Sequence, residues 1–154
     1  MDIRSDSGYP SAALSNFAPH GFVIDDVECA SMEGFLQSLK FSNPDMQKEV
    51  CKLVGRAAKS KGANKNWQQK QTLYWQGKAY KRDSKEYQEL LDRAYEALAQ
   101  NSSFQKALIA TKGAKLTHSV GKKKQNETVL TAQEFVSRLN KIRAKLIWGY
   151  SSTG

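Results

Sequence analysis

The feature that most constrains the fold is a helical pattern over residues 31–41, in which polar side chains interrupt an apolar stripe. The apolar residues recur at the three- and four-residue spacing of a helix with one buried side: Met32, Phe35, Leu36 and Leu39. Ser31 stands where an N-cap is expected, and Glu33 falls in the first turn, where the free amides and the helix dipole favour a carboxylate. We therefore predict a helix over Ser31–Phe41.

The polar residues of this helix share one face. Glu33 and Lys40 are seven positions apart in the sequence, so on a helix they lie about 20° apart around the axis and about 10 Å apart along it. Gln37 falls between them. Such a face is either the wall of a polar pocket or the solvent-exposed side of an ordinary amphipathic helix.

Caps and turn residues place the other elements in an α+β fold that is mainly helical, with small β-hairpins. Phe22–Ile24 and Val27–Cys29 are predicted to pair about a turn at Asp25-Asp26, and Thr72–Arg82 is predicted to form a second hairpin about Gln76-Gly77. The remaining predicted elements are helices from Pro44 to Gly55, from Ser84 to Gln100, from Asn101 to Thr111 and from the capping box Thr131–Glu134 onward, a basic loop over Gly62–Trp67, and a strand over Lys115–Val120.

The composition fits one globular domain over residues 1–154, with residues 1–13 and 148–154 as loose termini. Hydrophobic residues make up 40% of the chain, which is typical of a protein with a packed core. No apolar run reaches the ~20 residues of a membrane span, so we predict a cytoplasmic protein that contacts no membrane. Cys29 and Cys51 form neither a metal-binding motif nor a secreted disulfide framework, and we predict that both are reduced and buried.

The net charge of +9 is unevenly distributed along the chain. Residues 50–82 contain nine Lys and Arg residues and no Asp or Glu, and residues 97–126 contain six Lys residues and again no acid. Charges segregated in this way predict a basic face that attracts the phosphates of a nucleotide or of a nucleic-acid backbone. The alternative is a lysine-rich surface that serves solubility alone.

An ordered set of motifs runs through most of the chain. The sequence L-S-N-F is followed by a short hairpin and by S-x-E-x-x-x-Q-x-x-K-F, and then by Val54-Gly55-Arg56, Asn66-Trp67 and Ala107–Thr111. These motifs, in this order, resemble the signature of the NADAR superfamily, which includes the YbiA-like proteins. The resemblance extends over residues 14–144, and its N-terminal block is the most specific part.

This resemblance implies an α+β domain that binds ADP-ribose-like ligands and cleaves N-glycosidic bonds. Members of the superfamily act on riboflavin-pathway intermediates or remove ADP-ribose from modified guanine bases. Glu33 and Lys40 match the family's glutamate and lysine, so the resemblance implies that they are catalytic. The matching candidates for substrate binding are Asn16, Phe17, Gln37, Arg56 and Trp67.

The chemistry of the two catalytic candidates fits that reaction. Cleavage of a C1′–N bond requires a stabilised oxocarbenium-like sugar, a stabilised leaving base and a delivered nucleophile. A carboxylate such as Glu33 can neutralise the developing positive charge and take a proton from water, or it can serve only as a helix-capping charge. Lys40 can hold a phosphate, pair with Glu33 or attack C1′ as an amine, or it can interact only with the helix dipole.

The other candidates each carry two interpretations. Asn16 can bond to a ribose hydroxyl or hold the turn that follows it. Trp67, in a basic loop, suits stacking on a base or nicotinamide ring, although it can also be a core residue. Arg56 can bind a diphosphate or close a helix end. His118, after the predicted strand, is a substrate-binding candidate or an ordinary structural histidine.

One segment departs from the family pattern. The better-known members carry an acidic residue and a Trp-Gly pair soon after this strand, whereas this chain has G-K-K-K-Q-N-E-T-V, and its Trp148-Gly149 pair follows the last helix instead. The departure argues against the riboflavin-intermediate activity. It predicts that His118 or Ser119 takes over part of the role, or that catalysis is absent.

We therefore predict a hydrolase that binds an ADP-ribose-bearing nucleotide in a basic cleft and cleaves its N-glycosidic bond without a metal ion or cofactor. An ADP-ribosylated guanine base, free or within a nucleic acid, is one candidate substrate. Two alternatives remain open at this point. One is a non-catalytic ADP-ribose or NAD sensor, and the other is a nucleic-acid-binding module that uses the lysine-rich face.

Overall fold

The computed structural model describes the backbone of residues 1–153 and the side chains of residues 1–149, and it confirms the α+β class. The described residues form seven α-helices and two separate two-stranded antiparallel hairpins. In chain order the elements are α1 (Ser11–Leu14), β1 (Phe22–Ile24), β2 (Val27–Cys29), α2 (Met32–Ser38), α3 (Pro44–Cys51), α4 (Gly55–Gly62), β3 (Thr72–Trp75), β4 (Lys78–Lys81), α5 (Lys85–Leu98), α6 (Ser102–Ala110) and α7 (Ala132–Thr153), with a 3-10 turn over Gln125–Glu127 before α7.

Both hairpins form where the sequence predicts them. Ile24 pairs with Val27 and Trp75 pairs with Lys78. Asp25 and Asp26 have φ values of 48° and 63°, the left-handed conformations that a tight two-residue hairpin turn requires. The Asp25 carboxylate also accepts a hydrogen bond from Trp75 Nε1 at 2.8 Å, so the turn of the first hairpin holds the second one in place.

Helix α2 is the centre of the fold, and every one of its residues is buried. The Ser31 hydroxyl accepts a hydrogen bond from the Gly34 amide at 3.0 Å, which confirms the predicted N-cap. The helix ends at Ser38, three residues earlier than predicted, because the amides of Lys40 and Phe41 bond three residues back in a tighter turn. Lys40 therefore lies in the turn that follows α2.

The stretch around Gly55 differs from the prediction of one helix from Pro44 to Gly55. Helix α3 ends at Cys51, and Val54 is extended. Gly55, with φ of 53°, begins a separate helix, α4. Since residues with a Cβ rarely adopt this φ, the glycine permits the sharp entry into α4. Helix α4 was not predicted, and it lies directly against α2.

The prediction of a loose N-terminus over residues 1–13 is wrong. Ile3 is 0% exposed, and its amide donates to the Thr117 carbonyl at 2.8 Å. The predicted strand Lys115–Val120 is also wrong, because this segment pairs with the N-terminal residues through a single parallel bridge between Asp2 and Thr117. The N-terminal segment thus ties down the loop that carries His118.

The capping box of α7 forms as predicted and is part of a buried ion pair. The Thr131 amide donates to Glu134 Oε1 at 2.7 Å, and the Glu134 amide donates to the Thr131 hydroxyl at 3.1 Å. Arg82 also binds Glu134 through two hydrogen bonds of 2.6 and 3.1 Å. Arg82 is only 2% exposed, so it does not belong to the predicted basic face.

The C-terminal helix is longer than the sequence predicts, and both cysteines are buried. Helix α7 continues to Thr153, where a loose tail was predicted from residue 148, and Gly154 lies outside the described residues. Cys29 and Cys51 are buried free thiols, as predicted. None of the described helices is both long and apolar enough to cross a membrane.

Candidate functional site

A cavity of about 960 Å³ opens beside α2, and all eight residues singled out in the sequence line it. Its walls come from the segment after α1, from α2 and α4, from the loop after α4, and from the segment that leads into α7. The eight residues are Asn16, Phe17, Glu33, Gln37, Lys40, Arg56, Trp67 and His118. The polar face of the 31–41 segment therefore lines a pocket and does not face bulk solvent.

Glu33 is the buried acid of this cavity, with only 9% of its surface exposed. Gln37 Nε2 donates to Glu33 Oε1 at 2.9 Å, one helical turn away. The second oxygen, Oε2, makes no hydrogen bond with the described residues. Burial raises the pKa of Glu33 above its ordinary value, and the Gln37 hydrogen bond and the charges of Lys59 and Lys40 oppose that rise only in part.

Lys40, the lysine of the same motif, is half-buried beside the cavity. Its Nζ donates to the Gly62 carbonyl at 3.4 Å, so the side chain lies against the end of α4. Burial lowers the pKa of Lys40; attraction to Glu33 opposes this, while repulsion from Lys59 and Lys122 adds to it. The cavity therefore favours the neutral forms of both the acid and the amine more than water does.

Asn16 is held by a residue that the sequence patterns did not single out. Tyr95 donates its hydroxyl hydrogen to Asn16 Oδ1 at 2.7 Å, and burial raises the pKa of Tyr95, which keeps that hydrogen in place. The Asn16 carbonyl accepts from the Glu33 amide at 3.0 Å. The N–H groups of Asn16 Nδ2 are donors that a ligand can use. It would therefore donate to a ribose oxygen.

Phe17 and Arg56 lie at the side of the cavity formed by α4. The Phe17 ring is half-buried, and Lys59 Nζ lies 6.0 Å from its centroid. Arg56 is exposed and makes no hydrogen bond or ion pair with the described residues. Its guanidinium is therefore available to an anionic ligand in the cavity.

Cations outnumber acids on the cavity wall. The cationic residues are Lys40, Arg56, Lys59, Lys65 and Lys122, and the acidic residues are Glu33 and Glu127. Glu127 lies in the segment where the sequence predicts a missing acid, at the end of the 3-10 turn. Glu127 is thus one of the two acidic residues that line the cavity.

Trp67 lies on the boundary between the cavity and the core. The side chain is only 7% exposed and belongs to the main hydrophobic cluster, although one part of it lines the cavity. This burial agrees with the core interpretation that the sequence leaves open beside stacking. Stacking of a ligand on Trp67 stays a prediction.

His118 lines the cavity from the loop that the N-terminal segment holds in place. Its Nδ1 is 2.8 Å from the Ile3 carbonyl oxygen, and its ring meets the edge of Phe135 at a centroid distance of 5.0 Å. In the described part of the chain, no group of three or more His, Cys, Asp or Glu side chains is arranged to hold a metal ion.

Comparison with known proteins relates this chain to a phage family and to one solved fold. The family model described as "Bacteriophage protein GP30.3" matches residues 8–144. A relative from Enterobacteria phage T4, the "uncharacterized 17.1 kDa protein in Gp30-rIII intergenic region", is 40% identical over 149 residues, which cover 95% of this chain and 98% of the relative. The fold is similar to the NMR structure of the E. coli protein YbiA, with a TM-score of 0.64, 18% identity, and coverage of 97% of this chain and 86% of that chain.

Proposed function

We propose that this chain, which belongs to the bacteriophage protein GP30.3 family and has a YbiA-like fold, hydrolyses the N-glycosidic bond of an ADP-ribose-bearing nucleotide. On this proposal the chain is a divergent member of the NADAR superfamily. The observation that carries the proposal is the buried Glu33, which faces a large cavity whose other walls are mainly cationic.

Glu33 has the position and the environment of an acid–base group. A carboxylate near C1′ stabilises the positive charge that develops as the C1′–N bond breaks. Its raised pKa brings its proton exchange closer to neutral pH, where such a group is most effective. Gln37 fixes one carboxylate oxygen and leaves the other available to the substrate.

Lys40 can act in the reaction either as a proton donor or as a nucleophile, and its lowered pKa favours both roles. Its lowered pKa makes the ammonium group a better proton donor to the leaving base, and it also increases the fraction of neutral amine that can attack C1′. Attack would form a covalent adduct between Nζ and the sugar, which borohydride reduction would trap. A mass increase on Lys40 after such reduction would identify the covalent route.

The cationic wall supports the assignment of a phosphate-bearing ligand. Arg56 and Lys59 on α4, together with Lys65 and Lys122 on the neighbouring loops, can neutralise a diphosphate. Cavities that bind small ligands typically measure about 300–1,000 Å³, and the cavity volume of about 960 Å³ lies at the upper end. It can hold a nucleotide with a further sugar and base.

Turnover of ADP-ribosylated guanosine, followed chromatographically, tests the proposal directly. Release of ADP-ribose and unmodified guanine nucleoside is the expected result. Thermal shift with ADP-ribose and with an unrelated oligonucleotide separates the alternatives. Stabilisation by ADP-ribose without turnover would favour a sensor, and stabilisation by the oligonucleotide alone would favour a nucleic-acid-binding module.

Affinity for ADP-ribose is expected to fall as ionic strength rises, because the cavity's cations attract the diphosphate through charge. A titration of ADP-ribose at low and high salt measures this effect. A Lys59→Gln, Lys65→Gln double variant should bind more weakly and with a flatter salt dependence. Lys106→Gln is the matched control, since Lys106 is exposed and lies outside the cavity. A dissociation constant that does not change with salt would contradict the assignment.

Gly62→Ala is expected to lower turnover by up to about a hundredfold, as small misplacements of catalytic groups do. A Cβ at Gly62 would lie 1.9 Å from Gln37 Oε1 and 3.2 Å from Lys40 Cδ. Gln37 must then move, which breaks its hydrogen bond to Glu33. The control is Gly21→Ala, whose Cβ would meet only the Cys29 carbonyl, at an ordinary 3.6 Å. Equal turnover in both variants would show that the Gln37 contact does not position Glu33.

A further inference from the structure

His118 has one ring nitrogen fixed by the fold and the other left unoccupied. The fixed nitrogen is Nδ1, 2.8 Å from the Ile3 carbonyl oxygen. A carbonyl oxygen can only accept a hydrogen bond, so Nδ1 carries the hydrogen. In the neutral ring, Nε2 then has a free lone pair. Nε2 makes no hydrogen bond with the described residues, and the side chain is half-buried on the cavity wall.

The ring orientation is set from two further sides. Phe135 meets the imidazole edge-on, with 5.0 Å between centroids and 78° between planes. Gly121 packs so closely against the ring that a Cβ there would lie 2.5 Å from His118 Cδ2 and 3.2 Å from Nε2. Phe135 and Gly121 both line the cavity themselves. The imidazole therefore has little freedom to rotate.

The backbone that carries His118 is held by Asp2. The Asp2 carboxylate accepts hydrogen bonds from the Ser119 amide at 2.8 Å, from the Ser119 hydroxyl at 2.5 Å and from the Thr117 hydroxyl at 3.0 Å. The hydrogen bonds from Ser119 hold the pKa of Asp2 down, at about 2. The N-terminal segment thus fixes both the loop and the tautomer of the histidine.

We propose that His118 is the general base that removes a proton from the attacking water. The inference rests on the proposed glycosidase function and assigns a step that Glu33 would otherwise have to perform alone. The water oxygen bonds to C1′, and one water hydrogen passes to His118 Nε2. The C1′–N bond breaks, its electron pair goes to the leaving base, and that base takes up a proton from the Lys40 ammonium.

The groups around His118 permit this charge change. Asp2 on the N-terminal segment is bound by Ser119 and Thr117, and Lys122 on the same loop lines the cavity. On α7, Glu134 precedes Phe135 but is bound to Arg82. The histidine can therefore gain a proton without breaking any hydrogen bond that the structure contains.

His118→Asn tests the assignment while preserving the local structure, because the asparagine amide can still donate to the Ile3 carbonyl. The variant is expected to lose about a hundredfold or more in turnover of ADP-ribosylated guanosine, with a dissociation constant for ADP-ribose within about threefold of the wild type. Added imidazole should restore part of the turnover.

His20→Gln is the matched control, because a glutamine amide reaches the position of Nε2, the nitrogen through which His20 bonds. His20 also bonds a backbone carbonyl, that of Ala13 at 2.7 Å, and also meets a phenylalanine edge-on, but it lies outside the cavity. It should keep wild-type turnover. If His118→Asn turns over as fast as the wild type, the role of His118 is overturned while the proposed function stands. Absence of turnover in the wild-type protein overturns both.

Discussion

Replacing Glu33 by glutamine is expected to lower turnover at least about a hundredfold without unfolding the protein. Glutamine has nearly the same shape and can still bond to Gln37, but it can neither neutralise an oxocarbenium-like sugar nor exchange a proton. The measurement is turnover of ADP-ribosylated guanosine beside a melting curve and an ADP-ribose titration. Near-normal turnover in a variant with an unchanged fold would remove Glu33 from the mechanism.

The same variant is expected to be at least as stable as the wild type at neutral pH. Burial raises the pKa of Glu33, so the folded protein binds this proton more tightly than the unfolded chain does. The contribution of Glu33 to wild-type stability is then fully present below the unfolded pKa of about 4.3 and is lost as pH rises through the folded pKa. The Glu33→Gln variant has no carboxyl group to ionise at this position, so it does not lose this stability as pH rises.

The melting temperatures of variant and wild type should therefore diverge as pH rises over that window and then run parallel. Glu28→Gln is the control, because Glu28 lies exposed on β2 and outside the cavity. A wild type that gains stability relative to Glu33→Gln as pH rises would mean that the fold favours the charged form of Glu33 and that its pKa is not raised.

The parts of the fold that the sequence predicts are those governed by local interactions. The Ser31 cap, the turn at Asp25-Asp26 and the capping box at Thr131 each depend on residues within four positions of one another, and all three form. The prediction of a polar face on α2 depends only on helical spacing, and that face lines the cavity. Helical spacing therefore identified the polar residues that line the cavity, and the family resemblance named Glu33 and Lys40 among them as catalytic candidates.

The errors arise where distant residues decide the outcome. Arg82 carries a charge typical of a surface, but Glu134, 52 positions away, draws it into the core. Tyr95 reaches Asn16 across 79 positions, and Ile3 reaches His118 across 115. No periodicity or spacing in the sequence records such pairs. The supporting residues of the site could therefore be found only in the folded chain.

Trp67→Ala is expected to lower the free energy of unfolding by about 3–5 kcal/mol, the usual cost of truncating a large buried aromatic side chain. Trp67 is 7% exposed and belongs to the main hydrophobic cluster. Because part of the ring also lines the cavity, the variant should in addition bind ADP-ribose more weakly, by about 1–3 kcal/mol if one stacking contact is lost. Trp67→Phe should retain most of the stability and most of the affinity for ADP-ribose.

Trp75 provides the control that separates these two effects. It is buried in the same cluster and bonds to Asp25, but it does not line the cavity. Trp75→Ala should therefore cost a comparable amount of stability, while the molecules that remain folded bind ADP-ribose with wild-type affinity. If Trp67→Ala also loses stability but keeps wild-type affinity for ADP-ribose, Trp67 supports the cavity as a core residue and does not contact the ligand. Phe17, which is half-buried, lines the cavity and lies next to Lys59, would then be the ring on which a ligand base stacks.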